Sequence, residues 1–283
     1  FYPPASLIRD AERRGIAVRP VDIAASHVDA RCEGPRAVRL GLAQVIGLGA
    51  EDAAAIVAER EAHGPFADVH ALATRLELPT AVLQRLIAAG ACDALGPRRR
   101  LLWELGLATR PQHGQLAFDL QLGEAPPGLP EPGAWELLVA DYATTGVSVR
   151  EHPIAQLRPL LGTVADARDL DGLPHGAPVT LPGLAVARQR PASANGVVFL
   201  LLEDEHGLVN LVLMPDVYDR VRLLARSEPL LLVRGTLERR QGVTSIRVAE
   251  LEPLDLPDRR VLQPLRAVAP PAQHFAQGRR RGA

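Results

Sequence analysis

Lysine is missing altogether: each of the 32 basic residues in this 283-residue chain is an arginine. A coding bias toward GC-rich codons is the plain explanation, although guanidinium is the better fork for phosphate wherever it is suitably placed. Aromatic residues are scarce, at 4% against 47% hydrophobic, so aliphatic side chains must fill any core. There are two cysteines, Cys32 and Cys92. They make no CxxC pair and no zinc spacing, and a reducing cytoplasm is the default compartment. The eight histidines are scattered, without an HExxH pairing, so no metal site is expected. No run of about 18 apolar residues occurs, which excludes a membrane-spanning helix. The opening FYPPASLIRD lacks the charged-then-apolar layout of a secretion signal. It also lacks an initiating Met, and the expectation is a piece of a longer protein. With a formal net charge of -1 and a pI near 6.8, bulk charge announces no nucleic-acid partner. Such binding would have to come from local clusters of arginine.

What is present falls into two periodicities. Up to about residue 107 the pattern is helical. A helix is predicted over 3–15, with Pro4 in its first turn and Gly15 at its stop. Short extended pieces follow at 17–19 and 37–40, then two helices over 42–62 around a corner, then helices at 68–76 and 80–89, with Thr80 as an N-cap. A last helix is expected over 97–107. Residues 108–134 are rich in Pro, Gly and Gln and read as linker, and a short helix is expected at 135–140. From residue 177 the period changes to strands, at 179–188, 196–204, 208–214, 230–239 and 243–251, with a helix at 216–225. His206-Gly207 and Gln241-Gly242 read as hairpin turns. Five short strands with one helix after the third is the order of an OB-fold barrel. The tail from 257 onward is rich in Pro and Arg and is expected to be flexible.

The corner inside the first helical stretch reads VIGLGA. Gly47 and Gly49 allow a sharp turn, Leu48 plugs it, and the N–H groups at the start of the next helix, near Ala50, face outward. Unpaired donors and the helix dipole make such a place an anion site, and a DNA phosphate fits it without any base being read. The bland alternative is a plain turn between packed helices. Glu51 and Asp52 speak mildly against phosphate, but they also suit a helix N-terminus. A second corner at 90–96, followed by Arg98, Arg99 and Arg100, is a weaker copy. Three arginines in one turn serve equally well as a solvated face or as salt-sensitive phosphate contacts.

In the strand region, Arg188, Arg190, Arg234, Arg239, Arg240 and Arg247 are candidates for a basic groove, and Phe199 and Tyr218 are the aromatics that could stack a base. Alternation puts Val197, Phe199 and Leu201 on one face and Val198, Leu200 and Leu202 on the other. One of these faces must be core, and Phe199 is expected there more than on a stacking platform. In the linker, Gln115, Leu116, Phe118 and Leu120 of QLAFDL could dock into a partner's hydrophobic pocket or simply anchor the linker. No P-loop, nucleophile elbow or two-metal aspartate pair is present. Asp169-Leu170-Asp171 is the one tight pair, and its Gly/Pro-flanked setting suits a turn. The residues themselves therefore describe a binding module and no catalytic site. No cofactor is expected in it.

AVRLGLAQVIGLG, AAGACDALGPRRRLLWELG, DYATTGVSVREHPIAQLRPL and GVVFLLLEDEHGLVNLVLMPDVYDR together resemble the C-terminal part of the bacterial C-family DNA polymerases, the replicative α-subunit type. The opening stretch and TGVSVREHP look most like the error-prone, damage-tolerant branch. The resemblance implies a multidomain α plus β architecture: the end of a fingers-like region over 1–36, a helical tandem helix-hairpin-helix domain over 37–107, a linker with short helices over 108–176, and a five-stranded OB-fold β-barrel over 177–256. It implies that Gly47 and Gly49 grip primer–template duplex and that the barrel lies near single-stranded template. The family's palm aspartates and their Mg²⁺ have no counterpart in this chain. QLAFDL falls where replicative relatives carry a sliding-clamp motif, with Phe118 in place of the usual leucine. The lost aromatic ending also argues against direct clamp docking, and the resemblance leaves open a sliding clamp reached directly or through a Y-family-like partner subunit. A self-standing DNA-binding module, with no enzyme attached, is the alternative.

Overall fold

In the computed structural model of the chain, which describes residues 4–108, 128–240, 242–256 and 261–275, the apolar side chains collect in two compact units. One comprises residues 7–149, and the other residues 150–275 together with 4–6.

The first unit opens within α1 (Pro4–Arg13), from residue 7 onward, and the helix stops at Gly15 with φ 74°. A small sheet follows, built from β1 (Ala17–Arg19), β2 (Arg31–Cys32) and β3 (Ala37–Arg39). In it β3 is central, parallel to β1 and antiparallel to β2. Next come a 3-10 turn (Leu42–Gln44), α2 (Ala50–His63), α3 (Val69–Arg75), α4 (Thr80–Ala88), a second 3-10 turn (Asp93–Leu95), α5 (Arg98–Ala108) and α6 (Ala134–Thr145). The short helix expected before the first corner is therefore only a 3-10 turn. Its backbone donors are drawn off elsewhere: Leu42 N–H goes to the His27 carbonyl, Ala43 N–H to that of Val28, and Ile46 N–H to that of Thr144. Thr80 does not cap α4; Pro79 stands at that position, and its carbonyl takes the Val82 N–H. The helix expected at 135–140 runs on to Thr145 and ends at Gly146 with φ 72°. The core is aliphatic, as the composition requires: Leu42, Ile56, Leu86, Leu101 and Leu138 are all but fully buried. Each such burial contributes at most about 1.5–3 kcal/mol.

The second unit carries α7 (Pro153–Leu157) and α8 (Asp169–Gly172), then β4 (Pro178–Gln189), β5 (Val198–Glu203), β6 (Leu208–Leu213), α9 (Pro215–Ser227), β7 (Leu230–Arg240), β8 (Val243–Pro253), α10 (Gln263–Val268) and β9 (Gln273–Phe275). Hydrogen bonding runs β5-β6-β8-β7-β4, and β4 closes back on β5. This makes a five-stranded barrel with one helix after the third strand, the OB arrangement. One long strand serves two neighbours: β4 pairs with β7 over Pro178–Leu184 and with β5 over Leu184–Gln189. A register shift between Ala185 and Ala187 bends it around the corner. Val198, Leu200 and Leu202 point inward, as do Val209, Leu211 and Leu213. They pack with Val217, Tyr218 and Ala225 of α9. Part of the tail expected to be flexible is ordered: Leu262 and Leu265 are fully buried around α10, and β9 lies parallel to Ala187–Gln189 of β4.

Candidate nucleic-acid interface

Three places deserve comparison: the two glycine corners of the helical unit and the outer face of the barrel. At the first corner Gly47 has φ 83°, a conformation that disfavours any side chain. Gly49 has an ordinary extended conformation and is the N-cap of α2. Gly47, Gly49 and Ala50 are exposed while Leu48 between them is buried, so Leu48 anchors a loop whose backbone faces outward. Gly49 offers no side-chain cap to α2, so the first N–H groups of that helix need another acceptor. Sequence reasoning missed the cation at this place. Arg85 of α4 lays its guanidinium over Gly47, where a Cβ would collide with it. It donates from Nη1 to the Ile46 carbonyl at 3.2 Å. Arg85 is exposed and pairs with no carboxylate among the described residues. Nothing local in the sequence ties it to Gly47, because the two meet only when α4 packs beside the corner.

The second corner repeats the geometry and closes it. Gly90 has φ 80°, and a guanidinium again covers it, that of Arg98. Arg98, expected as a phosphate contact, is buried and fully engaged. It donates to the Ala88 carbonyl at 2.8 Å, to Asp93 at 2.9 Å and to Asp141 of α6 at 3.3 Å. Burial works against its charge, yet the bonds to Asp93 and Asp141 outweigh that and hold its pKa above the ordinary arginine value. Gly90, Ala91 and Cys92 are buried, and the Ala91 carbonyl takes the Ile23 N–H. Burial, followed by Asp93 and Asp22, pushes the Cys92 thiol up to about 12. The other two arginines of this turn are also occupied. Arg99 bonds Glu136 and the Pro130 carbonyl, and Arg100 pairs with Glu104 one turn on. The second corner is a structural joint.

On the barrel, Arg188 is corrected in the same way. It is buried, donating from Nε to the Ala225 carbonyl and from Nη2 to that of Glu228, both at 2.7 Å, and burial depresses its pKa. Arg239 holds the carbonyls of Leu170 and Asp171 in α8. Arg234 faces Glu250 and Glu252, while Arg240 and Arg247 share Glu238. Arg190 lies over the Tyr218 ring at 5.2 Å from its centroid, and Tyr218 itself is core rather than platform.

Phe199 goes the other way. It was expected in the core, but Val198, Leu200 and Leu202 take that face and leave Phe199 36% exposed on the outside. Register puts Gln189, Phe199, Val212 and Arg247 in one row across β4, β5, β6 and β8. This is an exposed aromatic ring between Gln189 and Val212, with Arg247 beyond Val212. Gln115, Leu116, Phe118 and Leu120 lie outside the described residues.

Comparison with known proteins matches this division. The helix-hairpin-helix motif family matches residues 15–102, and the OB-fold nucleic acid binding domain family matches residues 179–254. The chain is thus a helix-hairpin-helix protein with an OB-fold domain behind it. By sequence its relatives are error-prone DNA polymerases. It is 44% identical over 270 residues to the error-prone DNA polymerase of Anaeromyxobacter sp. (strain K), a match covering 90% of this chain and 24% of that protein. It is 40% identical over 258 residues to that of Corynebacterium efficiens, covering 90% and 23%. The chain therefore spans about a quarter of the length of these relatives.

Proposed function

We propose that this chain is the C-terminal DNA-holding part of an error-prone DNA polymerase, acting in damage-induced mutagenesis and translesion synthesis. Template-directed nucleotide addition, with its Mg²⁺, is the work of a palm that is not in this chain. The observation that carries the proposal is the first corner. A left-handed glycine, a helix start with no side-chain cap and an exposed guanidinium that pairs with no carboxylate among the described residues converge there on one outward-facing point. Such a point binds one phosphate of a duplex backbone through main-chain amides and one cation, with no base read. A grip of that kind suits an enzyme that must hold any sequence.

The row Gln189–Phe199–Val212–Arg247 gives the barrel a base-stacking surface for unpaired template. Stacking on one exposed ring is worth about 1–3 kcal/mol per base and tolerates any base. A sliding clamp, reached through Gln115–Leu120 or through a partner subunit, belongs to the same proposal. In the cytoplasm of a bacterium these parts would keep primer–template on the enzyme across damaged positions.

The test is fluorescence anisotropy of the chain with labelled primer–template duplexes of unrelated sequence, across a range of salt. Wild type should bind all of them alike, with affinity falling as salt rises. Gly47→Val should weaken all of them by about tenfold, since the side chain displaces Arg85 and blocks the amides. Unchanged affinity in Gly47→Val would remove the corner from the account.

A further inference from the structure

We propose that the flank of α9 beside Arg190 is a phosphate-contacting track for single-stranded DNA, carrying the backbone of a strand whose bases lie on the Phe199 row. The proposal deepens the nucleic-acid reading of the barrel and rests on it. The charge survey of the barrel leads there. The arginines of its strands are neutralised by glutamates or spent on carbonyls, whereas Arg190, Arg222 and Arg226 pair with no carboxylate among the described residues.

Arg190 is brought against the helix that carries the other two by a specific fastening. Arg188 ties the end of β4 to the C-terminal turn of α9 through the Ala225 and Glu228 carbonyls. Two residues further along, Arg190 reaches the Tyr218 ring in the same helix. A guanidinium stacked on a ring keeps its in-plane N–H groups free to donate. Arg222 and Arg226 follow in α9 beyond a kink at Val221, one helical turn apart and exposed. Leu223, 82% exposed between them, adds an apolar spot for a sugar or base edge.

The acids nearby do not cancel this charge. Asp216 and Asp219 flank Tyr218 but pair with none of these arginines among the described residues, and Glu228 is taken by Arg266 at 2.8 Å. Favourable interaction with the helix dipole would explain Arg226 in the last turn. It does not explain Arg190, which belongs to the segment after β4. Gln189, the residue before Arg190, is the register partner of Phe199. The stacking row and the cationic track therefore adjoin at the end of β4. A backbone running along the helix can drop its bases onto the sheet.

The 283-residue chain is titrated with fluorescent oligothymidylate and, separately, with duplex, over a range of salt. R222E/R226E should bind oligothymidylate about tenfold or more weakly. R222Q/R226Q, which keeps good helix formers in place, should flatten the salt slope by roughly 1.4, or about 0.7 per lost phosphate contact. Duplex affinity should stay at the wild-type value in R222Q/R226Q, and its cooperative melt should match wild type. Phe199→Ala should weaken oligothymidylate binding with the salt slope unchanged. Wild-type affinity and slope in R222Q/R226Q, with Phe199→Ala still weakened, would overturn the track and leave the barrel reading intact. It would also turn attention to an acidic protein surface as the occupant of the helix. Absence of oligothymidylate binding in the wild-type chain would overturn both.

Discussion

At Gly47 and at Gly90 the chain makes the same move. A glycine with φ near +80° turns the backbone and an arginine guanidinium settles over it. What differs is the company each arginine keeps. Arg98 has Asp93, Asp141 and the Ala88 carbonyl around it, with Ile23 and α6 closing the corner from outside. Arg85 has one carbonyl, from Ile46, and solvent. The same backbone device thus yields a sealed joint where carboxylates meet the guanidinium and an exposed corner where, among the described residues, none pairs with it. What seals the Gly90 corner comes partly from far away in sequence, from Asp141 of α6, and the Gly47 corner has no such partner among the described residues.

The comparison is broken most forcefully at Arg98. Arg98→Met keeps the volume but removes the cation from a buried carboxylate, Asp141, and from Asp93. Leaving one partner of a buried pair behind costs about 3 kcal/mol or more, so urea unfolding should shift by that amount. Duplex affinity, measured where the variant is still folded, should not change. Cys92 reports on the same joint. Its thiol, pushed up to about 12 by burial, should resist a thiol reagent in the native wild type. Arg98 lowers that pKa, so its removal makes the folded thiol no more nucleophilic, and labelling of Cys92 in Arg98→Met would report opening of the joint, while exposed Cys32 reacts in both.

A matched pair of substitutions sharpens the contrast. Alanine at either glycine costs about 1 kcal/mol for the left-handed backbone alone. At Gly47 the added methyl meets only the loose end of Arg85, which can swing away. At Gly90 it meets a guanidinium held by three partners, so something must give. Gly90→Ala should therefore cost about 2 kcal/mol or more, and Gly47→Ala about 1, on the same denaturant curve. Equal losses would mean that the two corners are not different in kind.

How much of this was legible beforehand follows from range. The strands of the barrel and the helix after the third were readable because alternation and 3.6-residue spacing are local. Even the two short extended pieces expected at 17–19 and 37–40 form strands, the second ending one residue early at Arg39. The two-residue β2 had no pattern to show; it exists because β3 offers it an edge. Arg98 and Arg188 looked like surface charge, since sequence gives the charge but not the partner. Asp141 lies 43 residues from Arg98, and the Ala225 carbonyl 37 from Arg188. Phe199 was misassigned because both faces of VVFLLL are apolar and only closure of the barrel chooses between them. Arg85 was invisible for the same reason that Arg98 was misread.

The finest test of the comparison is Arg85→Gln. The side chain is exposed and its one bond is to a carbonyl that solvent can serve as well, so unfolding should stay close to wild type. Gln cannot supply the charge. If Arg85 meets one phosphate at the Gly47 corner, the salt slope for duplex should fall by about 0.9, and affinity at low salt by several-fold, for every duplex alike. The N–H groups of the loop remain, so binding should weaken without vanishing. A loss confined to some sequences would mean that Arg85 reads a base. No loss at all would mean that the open corner, like the sealed one, serves only the fold. The same substitution in a chain already carrying Gly47→Val should add little, because the bulky side chain will already have driven the guanidinium off the corner.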